Sequence, residues 1–567
     1  MGVGGALLVV VAALAIVAAV LAHRAEPYLR ARIVEELERR FHARVELDSF
    51  HMSVRNGLED HWGVWAEGKG LRIWPPAHAA GVAVPGPAYP VFADAQPLIR
   101  LEVFRFHAPL IYEPGKPFHI SVVELQGLDV DVPPKSHFEH ASAGTAPANP
   151  PGAPNAGVPS AAAMLRFGLD RIECSDARLV LETSKPGKMP LQIAIAHLKL
   201  SGIGSGRPMG FEAELTNPKP TGAIHTTGSF GPWNDGDPGE IPIEGDYRFD
   251  HADLSDFQGI AGILSSTGHY EGTLRDLTVD GETDTPDFRL RPFENPLPLH
   301  TRFHAKVDGT NGDTWLQPVD ATLGHSHFTA QGQVVRVVVE QPGTGQRQSL
   351  GHDIALKVNV DKARIEDFLR LASHSETPLL TGLVTMKTTL HIPPGPVPVH
   401  ERLQLKGSFV LDQAKFSSPR IQAGIEQLSL RGLGRPGDVK KADPAGVDSK
   451  MEGDFELGGG VVNLPALTYT VPGAAIQLTG TYGIEGGALN FTGNAKMQAS
   501  VSEMVGGWKG LLLKPLDRYL RKDGAGTEIP IHIRGTREQP EFGIDFNRMT
   551  GKPAGHSDEP KQPAEQQ

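Results

Sequence analysis

Hydrophobic positions recur with three different periods along this chain, and each change of period marks a boundary. Gly2 to Ala22 (GVGGALLVVVAALAIVAAVLA) carries no charge and is closed by His23 and Arg24. At about 1.5 Å per residue, its roughly 21 residues are long enough to cross a bilayer core of about 30 Å. From Glu26 to Phe41 the period is four. Leu29, Ile33, Leu37 and Phe41 share one face with Arg and Glu opposite, which predicts an amphipathic helix within 23–43. Such a helix either packs on the end of the following domain or lies along a membrane surface. From Val45 the period becomes two and stays so almost to the end.

The period-two series predict strands with one dry and one wet face. Val45 and Leu47 open them, followed by Met52 and Val54, and by Leu128, Val130 and Val132. Leu299, Thr301, Phe303, Ala305 and Val307 alternate with His300, Arg302, His304 and Lys306. Ile354, Leu356, Val358 and Val360 repeat the pattern, as do Leu403, Leu405, Phe409 and Leu411. Leu489, Phe491, Ala495 and Met497, then Ile529, Ile531 and Ile533, then Phe542, Ile544 and Phe546 complete it. Turn signals such as Asp308-Gly309 and Asn311-Gly312 separate the runs. Trp62, Trp65 and Trp74 fall in the first of these strands, as strand core or as an interfacial belt near the anchor, with the core reading preferred. Helical patterns are few: Ala252–Leu264, Asp361–Ser373 with Asp361 as a candidate cap, and an amphipathic stretch broken at Pro515.

Breaks in this patterning give the domain plan. A membrane anchor covers 1–22 and a helix 23–43. A first β segment covers 44–132, with a Pro-rich insertion near 75–97. A disordered linker covers 133–163, containing PPKSHFEHASAGTAPANPPGAPNAGVP. A central β region covers 164–433 and a polar loop 434–448. A last β region covers 449–550, with an amphipathic helix at 500–522, and a frayed tail covers 551–567.

Composition narrows the reading. Of 567 residues, 65 are Gly and 47 Pro, a load that helix interiors reject and that turns between many short strands require. Net charge is −12, which argues against a nonspecific nucleic-acid surface. Cys174 is the single cysteine, so an intramolecular disulfide and a multi-cysteine zinc site are both excluded. The absence of Lys or Arg ahead of the apolar run, and its length, favour an uncleaved anchor over a signal peptide, although Val20-Leu21-Ala22 would serve as a cleavage site. Arg24, Arg30 and Arg32 favour keeping the main domain on the cytoplasmic side.

Many one-sided strands and few helices create a coverage problem. The dry faces must be buried, either by folding the sheet onto itself as a sandwich or barrel, or by curling it into a trough that an apolar ligand fills. For a membrane-tethered protein the abundant apolar ligand is the lipid acyl chain.

Three stretches resemble the AsmA-like family. The first is Ile243 to Leu290, which contains ADLSDFQGIAGILSSTGHYEGTL and VDGETDTPDFRL. The second is Leu403 to Gly434 (LQLKGSFVLDQAKFSSPRIQAGIEQLSLRGLG). The third, Gly480 to Thr536, contains SEMVGGWKGLLLKPLDRYLRKDGAGTEIPIHIRGT, with PEFGIDF just beyond. With the anchor and its following helix, the resemblance covers most of the chain outside the loops. It implies one N-terminal helix in the inner membrane of a double-membraned bacterium, an N-terminus in the cytoplasm and the bulk in the periplasm. It also implies a curved antiparallel β-groove with an apolar interior that moves phospholipid or supports outer-membrane assembly. That placement opposes the arginines. Roughly 25 strands at about 4.8 Å would give a sheet on the order of 120 Å long before twist and curl.

No catalytic constellation stands out. His325-Ser326-His327 places two imidazoles on one face, but only Asp320 is close in sequence, so they read as surface histidines. Gly202, Gly204 and Gly206 lack the strand–helix context of a nucleotide loop. Cys174 has Arg171 and Arg178 nearby but no adjacent histidine, and reads as a buried strand residue. Asp280, Asp284 and Asp287 suggest an acidic turn more than a calcium site.

The expectation is therefore a mainly β, non-enzymatic, anchored protein without a cofactor or metal. Its partners would be the inner membrane, phospholipid or another acyl-chain lipid, and envelope assembly proteins. Phe303, Leu356, Val358, Phe409, Leu489, Phe491, Ile531 and Ile544 are the candidate groove lining. Trp508, Lys509, Leu512, Lys514 and Arg518 are candidates for contact with an anionic membrane surface, the other reading of their segment being a cap on the sheet. A runner-up function is an assembly factor that adds strands to a sheet edge. Topology is directly measurable: alkaline phosphatase fused after Gln567 should be active if the bulk is periplasmic, and an inactive fusion would return the domain to the cytoplasmic side as the arginines argue.

Overall fold

The structure is a computed structural model. It describes much of 26–38, then 43–56, 62–74, 97–109, 118–132, 167–181, 188–203, 207–232, 238–340, 347–441, 447–505 and 526–545, apart from 204–206 and isolated positions. Among these residues no helix is long and apolar enough to cross a membrane, and residues 1–22 lie outside them.

Alternation dictates strands, and the strands join into one sheet. The first block is β1 (Val45–Asn56), β2 (Trp62–Ile73), β3 (Ile99–Pro109) and β4 (Phe118–Val132). Next come β5 (Phe167–Leu181), β6 (Leu191–Ser201), β7 (Met209–Pro218), β8 (Thr221–Phe230) and β9 (Pro242–Asp253). The middle is β10 (Ile260–Ala261), β11 (Ile263–Thr273), β12 (Asp276–Leu290), β13 (Leu297–Asp308), β14 (Asp313–Leu323), β15 (Ser326–Glu340) and β16 (Arg347–Arg364). The last block is β17 (Leu380–Ile392), β18 (Gln404–Phe416), β19 (Lys450–Gly458), β20 (Val461–Val471), β21 (Ala474–Gly483), β22 (Ala488–Met497), β23 (Thr527–Thr536) and β24 (Pro540–Ile544). Among the described residues, 23 strands form an open, curled half-barrel, and the two-residue β10 pairs onto the end of β12. At about 4.8 Å per strand its unrolled width is about 110 Å.

Apart from β10, which lies between the paired β9 and β11 in sequence, neighbours in sequence are neighbours in the sheet, and all but one pair run antiparallel. β4 and β5 are parallel, which corrects the all-antiparallel expectation. The cause is the long connection through 133–166: it carries the chain back to the same end, as a parallel pair requires.

Among the described residues the helices sit along one rim, apart from the single turn Val399–Arg402, which joins β17 to β18 on the other. In the described part of 26–38 (α1), Ile33, Val34 and Leu37 pack against Val45, Leu47 and Phe50. Its polar side chains cover the outer edge of β1: the Arg30 guanidinium donates to the Leu47 carbonyl at 3.0 Å, and the Met52 N–H donates to Glu26 Oε1 at 2.9 Å. An edge strand otherwise left as a pairing template is thereby occupied, and α1 packs on the domain. Next along the rim, α2 (Ile365–Leu371) is shorter than the 361–373 expectation because β16 runs on through Arg364. Asp361 does not cap it. Instead Asp367 of α2 accepts from Ser326 Oγ at 2.7 Å and the His325 N–H at 3.0 Å, tying the helix to the β14–β15 turn. After a one-turn α3 (Val399–Arg402) comes α4 (Pro419–Gly432), whose Ile421, Ile425 and Leu428 pack on Val384, Leu411 and Tyr469. A final turn, α5 (Val501–Val505), is the described part of the amphipathic 500–522 stretch.

Further expectations need correction. Ala252–Leu264 is not a helix: Asp253 accepts from the Ser255 N–H and closes a three-residue 3-10 turn, and Gly259 and Gly262 adopt left-handed φ of 102° and 136°. The polar loop 434–448 contains a 3-10 turn over Pro436–Lys441. Trp65 is not strand core; it points outward, 36% exposed, and its ring lies 4.9 Å from that of His107.

Glycine also does more than make turns. Gly68, Gly228, Gly245, Gly268, Gly281, Gly332, Gly407, Gly453, Gly480 and Gly493 sit inside strands, and the registers place all of them on the same face. Rings from neighbouring strands lie over several of these positions. A Cβ on Gly281 would come within 2.8 Å of the Phe303 ring and 2.7 Å of Tyr247 Oη. Removing Cβ on the inside of a curl lets strands bend inward while an adjacent ring fills the space. Gly281→Val should therefore destabilise the chain by about 1–3 kcal/mol in urea unfolding, against under about 0.5 kcal/mol for Glu282→Val on the opposite face. Equal effects would show that the curl does not depend on the missing Cβ.

Candidate functional site: the inner face of the curled sheet

Following the register from strand to strand traces one face across the whole molecule. It begins with Val45, Leu47 and Phe50 on β1, opposite Ile73, Leu71 and Gly68 on β2. It passes Phe104 and Leu125, then crosses the parallel junction to Cys174. Leu198, Ala213, Thr226 and Tyr247 carry it to Tyr270, Val279 and Ala305. Leu316, Gly332, Leu356, Leu390, Leu405 and Leu457 continue it. Val462, Tyr482, Leu489 and Gly535 end it near β24.

All eight candidate lining residues fall on this face. Phe303 faces Gly281, Leu356 faces Leu390, Val358 faces Thr388 and Phe409 faces Met386. Leu489 faces Tyr482, Phe491 faces Ile533 and Ile531 faces Ile544. Their exposure differs. Phe491 is buried, most of the others are half-buried, and Ile544 is 44% exposed on the last strand, beside Phe542 at 66%. Trp508, Lys509, Leu512, Lys514 and Arg518 lie outside the described residues.

The inner face has a deep and a shallow side. Near the helical rim, Val360, Val384 and Leu411 are almost wholly buried under α4. Toward the opposite rim, Leu356, Leu390, Leu405 and Phe409 remain partly open to solvent. The α4 helix is a part of the lining that strand alternation hides. Its signal is present in the sequence: Ser418 before Pro419 at the first turn, Ile421, Ile425 and Leu428 on one face, and Gly432 at the end.

The outer face is charged. Arg105 pairs with Glu67 at 2.8 Å, Arg178 with Asp129 at 2.6 Å, His304 with Asp280 at 2.7 Å and Lys406 with Glu456 at 2.7 Å, each across adjacent strands. Asp280 is thus one partner in a cross-strand pair, and Asp287 pairs with Arg289 at 3.2 Å. Such exposed pairs contribute little stability each, but together they keep this face wet. His327 lies 3.9 Å from Asp320 on the surface. Among the described residues no three His, Cys, Asp or Glu side chains converge on a metal position. Cys174 is buried on the inner face, and burial together with the Asp176 carboxylate pushes its thiol up to about 11, away from the thiolate form.

The two rims meet in the middle of the molecule. Lys188, ahead of β6 on the helical rim, reaches Asp313 Oδ1 at 2.9 Å and the Arg336 carbonyl at 2.6 Å, both on the other rim. The Arg336 N–H also donates to Asp313 at 3.1 Å. Close by, burial holds the His352 imidazole below its usual range, and Arg336 and Lys219 push it the same way. Gly259 on the helical rim abuts Val399 of α3. Strands far apart in the sheet touch only because the sheet coils as it curls, which right-handed strand twist produces.

No protein-family model, no curated protein and no solved structure matches the chain.

The rim contact is testable by stability. Lys188 and Asp313 are 15% and 9% exposed, so Asp313→Ala, which removes the carboxylate facing a largely buried ammonium, should cost about 3 kcal/mol in urea unfolding. The Lys188→Met/Asp313→Leu double variant should recover most of that loss. If Asp313→Ala is neutral, the rims are not held together there.

Proposed function

We propose that this chain is a membrane-anchored lipid-binding and lipid-transfer protein of the AsmA-like type, held by residues 1–22 in an inner membrane with its bulk in the periplasm. Acyl chains lie on the inner face of the curled sheet, while polar head groups follow its open mouth. The observation that carries this reading is the unbroken inner face, which is apolar over most of its length from β1 to β24 and only partly covered by helices along one rim. An exposed apolar surface of that extent in a soluble monomer is a liability unless a ligand occupies it. Burial of acyl chain contributes about 0.8 kcal/mol per CH₂, so an apolar track needs no reacting group to hold lipid. Transfer along it is diffusion between equivalent positions. Supply of lipid to an outer membrane is the role this arrangement suits.

A second reading has its own observation. β24 ends the sheet with Phe542 and Ile544 exposed, a composition that would accept an added strand from an outer-membrane protein during assembly. The two readings separate by which positions matter: the floor for lipid transfer, the β24 backbone for strand addition.

Leu356 and Phe409 are better probes than Phe491, whose burial makes any charge there a folding defect. The full chain, extracted and analysed by mass spectrometry, should carry phospholipid. Leu356→Asp/Phe409→Asp should lower bound lipid at least about fivefold, because an ionised carboxylate in an acyl track is strongly unfavourable, whereas Lys357→Asp/Ser408→Asp on the outer face should not. Lipid-free native protein, or equal loading of both variants, would refute the lipid reading.

A further inference from the structure

The inner face is not uniformly apolar. Across the middle of β8 to β13 hydroxyls and glycines interrupt its aliphatic residues, which persist toward the strand ends at Ile224, Ile243 and Leu299. Thr226, Tyr247, Ser266, Tyr270, Thr283 and Thr301 all lie on the inner face, by the registers that join these strands. Aliphatic floor resumes on both sides, with Ala213 and Leu198 before the belt and Leu316 and Leu356 after it. The two tyrosine rings lie side by side, centroids 6.5 Å apart, over the glycines at 245, 268 and 281.

Hydrogen counting fixes what this belt offers. A hydroxyl has one hydrogen and two lone pairs. Thr226 Oγ1 donates its hydrogen to the Asp246 carbonyl at 2.9 Å. It can therefore only accept from Tyr270 Oη at 2.7 Å, and Tyr270 is the donor. The same logic holds on the neighbouring strand. Ser266 Oγ donates to the Glu282 carbonyl at 3.0 Å, so Tyr247 Oη donates to Ser266 at 3.1 Å. Both phenol hydrogens are committed, so the two phenol oxygens, lying on the inner face over Gly245 and Gly281, keep only lone pairs to offer. Burial raises both phenols above their ordinary range, so they remain protonated and the assignment holds across ordinary pH.

We infer that the Tyr247–Tyr270 belt is a polar subsite within the groove that accepts hydrogen bonds from a donor on an amphiphile's head, a hydroxyl or an ammonium, and favours such lipids over those whose head has only acceptors. This inference rests on the lipid reading of the groove and adds a specificity to it. At the two phenols a phosphate diester finds no donor and a quaternary ammonium has no hydrogen to give, while a glycerol hydroxyl or a primary ammonium finds two acceptors.

The test uses the full chain kept soluble in an amphipathic polymer, with displacement of a fluorescent fatty acid as the readout. One arm compares 1,2-dioleoylglycerol with its 3-O-methyl ether, which differ by a single donor. The other compares dioleoyl phosphatidylethanolamine with dioleoyl phosphatidylcholine. The donor-bearing member of at least one pair should bind about 3- to 10-fold more tightly, the range for one net hydrogen bond. The pair that discriminates identifies hydroxyl or ammonium as the donor. Tyr247→Phe/Tyr270→Phe, which keeps both rings over the glycines, should abolish the preference without weakening the ether or the choline lipid. Equal affinity within both pairs for the native chain overturns the subsite and leaves the groove standing. A preference that survives in a folded double variant also overturns it. Failure of every lipid to displace the probe overturns the groove itself and the subsite with it.

Discussion

Everything in this molecule follows from a sheet whose dry face is too large for its helices to cover. Each strand contributes a few apolar side chains to the same side, and antiparallel pairing with occasional bulges keeps them in phase from Val45 to Ile544. Among the described residues a covering layer lies along the helical rim, at α1, α2 and α4. Elsewhere the face is protected by its own curvature, and the curvature depends on glycine. At positions such as Gly245, Gly268 and Gly281 the missing side chain lets the backbone close inward and lets a tyrosine or phenylalanine from the next strand lie flat over the gap. Coiling then brings the Lys188 region of one rim against Asp313 on the other. A flat version of the same sheet would expose the whole face to water.

Much of this was legible in the sequence. The period of two in Leu299–Val307 and Ile354–Val360 specifies a one-sided strand without reference to any partner, and the single shared inner face then follows from pairing. That is why residues as distant as Phe303 and Ile531 could be placed on one surface. Other features were not legible, for identifiable reasons. The parallel β4–β5 pair depends on where a long connection returns, which side-chain alternation does not encode. The Ala252–Leu264 segment has helical spacing of its apolar residues, yet Gly259 and Gly262 adopt backbone conformations that end any helix there. In α4, Pro419 and Gly432 mark the helix ends, but the flanking strands dominate the pattern. Glycine was read as turn residue because a strand glycine has no side chain to alternate, so its place on the inner face emerges only from the register.

Function is written in the contrast between faces more than in any residue. The outer face carries ion pairs such as Arg178–Asp129 that hold water, and the inner face carries hydrocarbon. A ligand chosen by such a surface is itself two-sided. The exception on the floor, the hydroxyl belt around Tyr247 and Tyr270, adds direction to the contrast: its phenol hydrogens are spent on Thr226 and Ser266, which leaves the phenol oxygens with lone pairs only.

The most direct test of the inner face as a lipid track is a photocrosslinking map. The full chain, incubated with vesicles containing a phospholipid that bears a diazirine on its acyl chain, would be irradiated, digested and sequenced by mass spectrometry. Labels should fall on Phe303, Leu356, Phe409 and Ile531, at widely separated strands of one face, and spare Lys357, Ser408 and His532 on the other. Labels on both faces alike, or confined to residues 1–22, would contradict the account.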